Sequence, residues 1–121
     1  RVQAAVLNEC FKLHEDGLAS SEDIDRVLKD GLALRWSFMG PFETIDLNAP
    51  AGVSDYAKRY GQQNRETIGS ENAFDWSESA VARVHDERRQ KLTLEGIALR
   101  SAWRDRRLMA LAAHKRQAPS S

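Results

Sequence analysis

Arg35 is the residue of this sequence whose type and surroundings most clearly suggest chemistry. It lies between Leu34 and Trp36, in an apolar stretch that continues through Phe38 and Met39. Burial of an arginine is costly unless the charge is paired, and the planar guanidinium fits a carboxylate or a phosphate. Two other interpretations stay open, namely an ion pair with a nearby acid of the chain or a side chain that extends to solvent.

The other nucleophiles and titratable groups form no self-sufficient catalytic set. The sequence contains no GxGxxG, Walker A, CxxC or HExxH motif, and its three histidines lie on different predicted helices. His14 falls in the apolar arc of the first helix, which favours a hydrogen-bonded core histidine, and Cys10 on that helix favours packing over catalysis. The run HDERRQK, from His85 to Lys91, is interpreted as a solvated helix face. The residues alone therefore predict no catalytic, cofactor-binding or metal-ligating residue.

Two helices precede Arg35 in the predicted arrangement. The first runs from Val2 to Asp16, with Gly17 as its stop, and carries apolar residues over an arc of about 200°. Because that arc is wider than a surface helix shows, we expect its burial against a second copy or a second domain. Ser20 is expected to begin the next helix in a capping-box-like relation, and Gly31 to end it.

Further helices are predicted after the Gly-Pro pair. Pro41 suits the first position of a helix, with Phe42, Ile45 and Leu47 inward and Glu43 and Asp46 outward.

The rest of the chain divides into helices, one connection and a tail. The segments are a short helix from Val53 to Tyr60, a connecting loop over 61–77, a helix from Ser77 to about Lys91, a helix from Thr93 to about Lys115, and a disordered tail over 117–121. No segment alternates with the period of a strand, so the sequence predicts an all-α fold of five to six helices.

Composition places the chain among globular proteins of one domain. It has 121 residues and a formal net charge of zero, with 41% apolar and 30% charged residues. Residues 1–82 carry 8 basic and 14 acidic residues, a net of −6, while residues 83–121 carry 10 and 4, a net of +6. We favour packing of the basic end against the acidic part, in the same chain or in a partner copy. The alternative is a free-standing helical interaction module whose stripe of Arg100, Arg104 and Arg107 binds an acidic partner or nucleic acid.

Two more features bear on the setting of the chain. Cys10 is the only cysteine, which fits a reducing, cytoplasmic location, and no apolar run approaches the length of a membrane span. The helical pattern is already running at Arg1, so we expect the chain to be a piece of a longer protein.

Three motifs resemble the C-terminal domain of the 3-hydroxyacyl-CoA dehydrogenase family, and within it the lambda-crystallin and L-gulonate 3-dehydrogenase branch. They are the opening helices through ALRW, the signature MGPFETIDLN, and the terminal AWRDRRLMALAAHK. The resemblance implies a dimerising helical domain over residues 1–116, like the C-terminal domain of 6-phosphogluconate dehydrogenase.

The resemblance also implies parts that this chain does not contain. Members of the family have an N-terminal Rossmann domain that binds NAD and supplies a catalytic Ser, His and Glu. A catalytic Asn opens the C-terminal domain, and Arg1 matches the Arg that follows it. No catalytic residue is therefore carried over, and the chain alone is expected to be inactive.

Two family roles are expected of this chain: the homodimer contact and one wall of the substrate cleft. Arg35 is the candidate for holding a substrate carboxylate, with Trp36, Phe38 and Met39 as candidate lining residues. Core packing is the alternative for each of those three. Gulonate-like acids, carnitine-like acids and acyl-CoA thioesters all remain open as substrates, while nucleic acid and membrane are not expected as partners.

Overall fold

Helices make up all the regular secondary structure of the described residues. The structure is a computed structural model that describes residues 1–69 and 71–117. Its elements are α1 (Val2–Glu15), α2 (Ser21–Val27), a π-helical turn (Leu28–Leu32), α3 (Ala33–Arg35), α4 (Pro41–Leu47), α5 (Val53–Ile68), α6 (Glu78–Lys91), a 3-10 turn (Leu94–Gly96) and α7 (Ile97–Gln117). The predicted all-α class is confirmed.

The chain divides into two compact units. The first comprises Arg1–Ser37 and the second Phe38–Ser121. The first unit therefore holds α1 to α3, and the second holds α4 to α7.

The local signals at the ends of α1 and α2 act as predicted. Gly17 follows α1 with a φ of +72°, a conformation that glycine adopts without strain. The Ser20 hydroxyl accepts a hydrogen bond from the backbone N–H of Asp23 at 3.1 Å, which caps α2.

The apolar arc of α1 is left largely open within the described chain. No residue of α1 is buried, and Val2 and Phe11 are 75% and 74% exposed. His14 is exposed as well, so its prediction as a core histidine is wrong.

The helix that begins at Ser21 does not end at Gly31, contrary to the prediction. It passes through the π-helical turn, where the backbone N–H of Ala33 donates to the carbonyl of Leu28 five residues earlier, and ends at Arg35. A single glycine within a helix lowers stability without breaking it when the flanking residues continue the hydrogen bonding.

The second unit is built around α4. This helix contacts α5, α6 and α7, and Pro41 is its first residue, as predicted. Its core cluster consists of Met39, Leu47 and Ile97, with Leu92 and Trp103 packed against it.

The predicted inward position holds for Leu47, which is 8% exposed and belongs to the core cluster, whereas the predictions for Phe42, Glu43 and Asp46 are wrong. Asp46 is fully buried and the Glu43 side chain is 17% exposed, whereas Phe42 is 59% exposed. The physical reason is a set of arginines from α6 and α7 that surround both carboxylates, which makes the acidic side the inner one.

Helix α5 is twice as long as predicted, because Gly61 lies within it instead of ending it. Gly61 is buried, and a Cβ at this position would lie 3.5 Å from the ring of Trp76. That separation is an ordinary van der Waals distance, so the indole packs over Gly61 without requiring glycine at this position. Trp76 itself has a φ of +54°, which is rare for a bulky residue, and its ring stacks on Tyr56 at a centroid distance of 6.2 Å.

The last two helices begin at their predicted caps. The Ser77 hydroxyl accepts from Ala80 N–H before α6, and the Thr93 hydroxyl accepts from Gly96 N–H at the 3-10 turn before α7. Gln117, predicted to open a disordered tail, is the last residue of α7, and residues 118–121 lie outside the described residues. Among the described residues, no helix has the length and apolar character to cross a membrane.

Candidate functional site

Arg35 is the last residue of α3, and it is exposed. Desolvation therefore does not oblige this guanidinium to pair. It makes no hydrogen bond or ion pair with another residue in the part of the chain that the structure describes. The ion-pair alternative drawn from the sequence thus finds no partner there, and the charge is open to a ligand.

The other two predicted site residues differ from Arg35 in their burial. Trp36 is half-buried and belongs to the same unit, directly after α3. Met39 belongs to the second unit, where it is 5% exposed and forms part of the core cluster. That environment favours the packing alternative for Met39. Phe38 is half-buried and meets Trp103 edge to face, with 6.3 Å between the ring centroids.

The most charged interior site of the described chain is one that the sequence did not reveal. We call it the arginine cluster: Glu43, Asp46, Arg88, Arg89 and Arg100. Asp46 is fully buried and pairs with Arg89, while Arg88 Nε lies 3.5 Å from the same carboxylate oxygen.

Glu43 joins the cluster to the last helix. Its carboxylate accepts from Arg88 at 3.1 Å and from both Nε and Nη2 of Arg100, at 3.0 and 3.2 Å. The two-point contact with Arg100 fixes the orientation of the guanidinium. α4, α6 and α7 are therefore held together by charge as well as by apolar packing.

The arginine cluster contains more donors than acceptors. Two carboxylates face three guanidiniums, and Arg88 Nε together with Arg89 Nε and Nη1 are buried without a hydrogen-bond partner among the described residues. Each acceptor in the cluster therefore serves several donors.

Asp46 of the arginine cluster and His85 of α6 cap helix α5 from a distance. Asp46 Oδ1 accepts from the backbone N–H of Val53 at 3.0 Å, and His85 Nδ1 accepts from Ser54 N–H at 3.1 Å. These are two of the N–H groups that a helix start leaves without an internal partner. The prediction of a solvated face from His85 to Lys91 is therefore wrong for His85, Arg88 and Arg89.

Gly52 makes the close approach possible. Its φ is +81°, and a Cβ there would lie 2.8 Å from Asp46 Oδ1 and would clash with Arg89 Nη1. Glycine is thus required at this turn by backbone conformation and by space together.

The arginine stripe of α7 is engaged within its own chain. Arg100 binds Glu43 and lies 4.0 Å from the Trp103 ring centroid, and Arg104 pairs with Asp105 at 3.0 Å. Arg107 lies 5.3 Å from the ring of Phe38. Arg100, with Arg88 and Arg89 of α6, thus pairs with acidic residues of the first 82 in the same chain, in agreement with the preferred interpretation of the charge distribution.

No cluster with metal-binding composition occurs among residues 1–69 and 71–117: no three or more His, Cys, Asp or Glu side chains converge there.

On the surface of α5, the hydrogen bond from Arg59 Nε at 2.8 Å lowers the pKa of Asp55, and the Ala51 backbone N–H adds to the effect.

Comparison with known proteins gives the chain its relatives. The sequence profile described as "3-hydroxyacyl-CoA dehydrogenase, C-terminal domain" matches residues 1–88. A lambda-crystallin homolog of Bos taurus is 39% identical over 98% of this chain and 38% of its own length. A 3-hydroxyacyl-CoA dehydrogenase of Gibberella moniliformis is 32% identical over 71% of the chain and 28% of its own length. An L-carnitine dehydrogenase of Pseudomonas sp is 30% identical over 92% of the chain and 35% of its own length. The chain thus spans 28–38% of the length of these three relatives.

Proposed function

The chain belongs to the C-terminal domain family of the 3-hydroxyacyl-CoA dehydrogenases, and we propose that it forms the homodimer contact and one substrate-cleft wall of an NAD-dependent 3-hydroxyacid or 3-hydroxyacyl-CoA dehydrogenase. In the full-length protein a Rossmann domain binds NAD, and a base takes the proton of the 3-hydroxyl group as hydride passes to the cofactor. This chain contributes no catalytic residue and binds no NAD by itself. NAD-dependent turnover by the isolated 121 residues would contradict this division of roles.

The exposure of Arg35 and its lack of an ion-pair partner among the described residues support the proposal for the cleft wall. Its guanidinium is exposed at the end of α3 and has no ion-pair partner among the described residues. An arginine of this kind binds a carboxylate at two points, which fixes the orientation of the bound acid. We assign Arg35 to the substrate carboxylate, with Trp36 beside it as a lining residue.

The test compares variants of the full-length protein with a hydroxy acid as substrate. Hydrogen bonds to a charged group contribute about 1.5–3 kcal/mol, so Arg35→Ala should raise KM by about 10- to 100-fold with little change in kcat. Arg35→Lys should recover part of the loss, because it restores the charge without the planar fork. Arg26→Ala is the matched control, since Arg26 lies on α2 and pairs with Glu22 and Asp23 on the surface.

A neutral substrate analogue separates binding from folding. Its KM should not respond to Arg35→Ala if the arginine acts on the carboxylate. A melting temperature that collapses in Arg35→Ala, or equal losses for both substrates, would assign Arg35 to the fold instead. An unchanged KM for the acid would also contradict the assignment and would favour acyl-CoA thioesters as the substrate class.

Exposed apolar side chains support the homodimer proposal. Val2, Leu7 and Phe11 on α1 are 75%, 50% and 74% exposed, and Met109 on α7 is 69% exposed. Several exposed large apolar side chains on one helix, as on α1, are typical of faces covered by another chain or domain. Sedimentation of the full-length protein should show a dimer, and a monomer at high concentration would contradict the proposal.

A further inference from the structure

The π-helical turn between α2 and α3 contains one more residue than a regular helical turn. Its marker is the bond from Ala33 N–H to the Leu28 carbonyl, five residues apart instead of four. In a regular helix each residue is rotated by about 100° about the helix axis relative to the one before it. One additional residue accommodated within a turn therefore rotates all later side chains back by about 100° relative to a regular helix. The turn therefore decides which side chains of α3 face inward.

Four residues spaced four apart show the effect. Ile24 is buried, and Leu28, Leu32 and Trp36 are half-buried. Ile24, Leu28 and Leu32 line the same groove beside α1, which has a volume of about 260 Å³. In a regular helix, residues four apart differ in direction by about 40° about the helix axis, so after three such steps Trp36 would point about 120° away from Ile24. The set-back in the π-helical turn removes most of that drift and brings Trp36 to about 20°.

Arg35 undergoes the opposite change. It follows Ile24 by eleven residues, which in a regular helix would place it about 20° from Ile24, on the inner face. The set-back places it about 80° to the side, and its side chain is exposed. On the inner face the guanidinium would lose its solvent, and a ligand could not reach it.

We propose that the π-helical turn Leu28–Leu32 positions Arg35 for binding, because it absorbs one surplus residue and so turns Trp36 inward and the arginine outward. The proposal rests on the role given to Arg35 above and adds the element that orients it. The residues of the turn act through Arg35 and are positioning residues.

Deletion and insertion make opposite tests of this geometry. Deletion of Gly31 removes the surplus residue, so α2 and α3 can join as a regular helix that still has Trp36 inward and Arg35 outward. Among the described residues, and apart from the adjacent helix backbone, no atom lies within 4 Å of a Cβ at Gly31, so little packing is lost. Insertion of one alanine between Ala33 and Leu34 adds a second surplus residue and turns Arg35 to the inner face.

The readouts are the reaction of Arg35 with phenylglyoxal, followed by peptide mass spectrometry, and the kinetics of the full-length protein. The insertion should slow the modification of Arg35 relative to that of Arg26, and should raise KM for a hydroxy acid by about 10- to 100-fold with kcat retained. Deletion of Gly31 should leave both quantities at the wild-type value, as should the control Gly31→Ala, which keeps the residue number.

The outcomes separate the orientation of Arg35 by the π-helical turn from the role of Arg35 in carboxylate binding. A deletion that protects Arg35, or an insertion that leaves its modification rate unchanged, would overturn the proposal. If the insertion variant does not fold, the deletion alone still decides, because slowed modification there contradicts the geometry. If the modification rates change as described but KM does not, the π-helical turn orients Arg35 and the carboxylate role is the part that fails.

Discussion

Replacing Asp46 by alanine should be among the most damaging single substitutions in the second unit. The carboxylate is fully buried, pairs with Arg89 and Arg88, and accepts from Val53 N–H. Its removal leaves a charged guanidinium without a counter-charge and a helix N–H without an acceptor. Three donor atoms of Arg88 and Arg89 in the arginine cluster are already buried without a hydrogen-bond partner among the described residues, so the substitution adds to the unsatisfied donors.

The expected loss follows from these contacts. Removing one partner of a buried ion pair costs about 3–5 kcal/mol, and an orphaned buried N–H costs about 1–3 kcal/mol. The two effects share one carboxylate and are not additive, so we expect a loss of about 4 kcal/mol. Domains of this length have total stabilities of about 6–18 kcal/mol, so the substitution should remove a large fraction of the stability.

The assay is urea denaturation at neutral pH, followed by circular dichroism. The midpoint should fall while the slope stays constant. Asp23→Ala is the matched control: that side chain is 59% exposed and pairs with Arg26 on the surface, so about 0.5 kcal/mol is expected. The double variant Asp46→Ala/Arg89→Met should be less destabilised than Asp46→Ala, because it also removes the unpaired charge. A loss of stability for Asp46→Ala that is within about 1 kcal/mol of that for Asp23→Ala would refute this reasoning. A double variant that is less stable than Asp46→Ala would refute it as well.

Two further predictions concern Gly52 and Asp55. Gly52→Ala should lower the free energy of unfolding by about 3 kcal/mol or more, because its Cβ would lie 2.8 Å from Asp46 Oδ1 at a φ of +81°. The control Gly17→Ala, at a φ of +72° in open space, should lower it by about 1–2 kcal/mol. Equal losses for the two variants in thermal melts would contradict the close approach at Gly52. The pKa of Asp55 is lowered by the Arg59 hydrogen bond, so its contribution is present above the ordinary aspartate pKa of about 3.9 and is lost as the pH falls through the lowered value. The gap in urea midpoint between wild type and Asp55→Asn should therefore close in acid, and a gap independent of pH would show that the charge is not involved.

Short-range chemistry was readable from the sequence. Ser20 and Ser77 cap helices, Pro41 begins one, and Gly17 follows the end of another, because each acts on backbone groups within four residues of itself. Such signals predicted most helix starts, while the absence of strand-like alternation predicted the all-α class.

Long-range contacts explain what the sequence did not predict. Glu43 and Asp46 are polar, and polarity predicts an outward face, but arginines more than forty residues away make that face the inner one. Gly61 resembles a helix stop, yet α5 continues through it to Ile68, and Gly61 is buried against the ring of Trp76. For the candidate site, the type of Arg35 was informative, whereas its exposure depends on a π-helical turn that apolar spacing alone did not reveal.

The distant capping of α5 has a consequence for how the second unit opens and closes. The amide protons of Val53 and Ser54 are held by groups 7 and 31 residues away, on the segments that form α4 and α6. A peptide of α5 alone has neither acceptor, so its first turn should fray. In the folded chain, these two amides should exchange with solvent only when α4, α5 and α6 separate together, even though they lie at a helix end, where exchange is ordinarily fast. The first turn of α5 thus reports on the cooperative unit formed by all three helices.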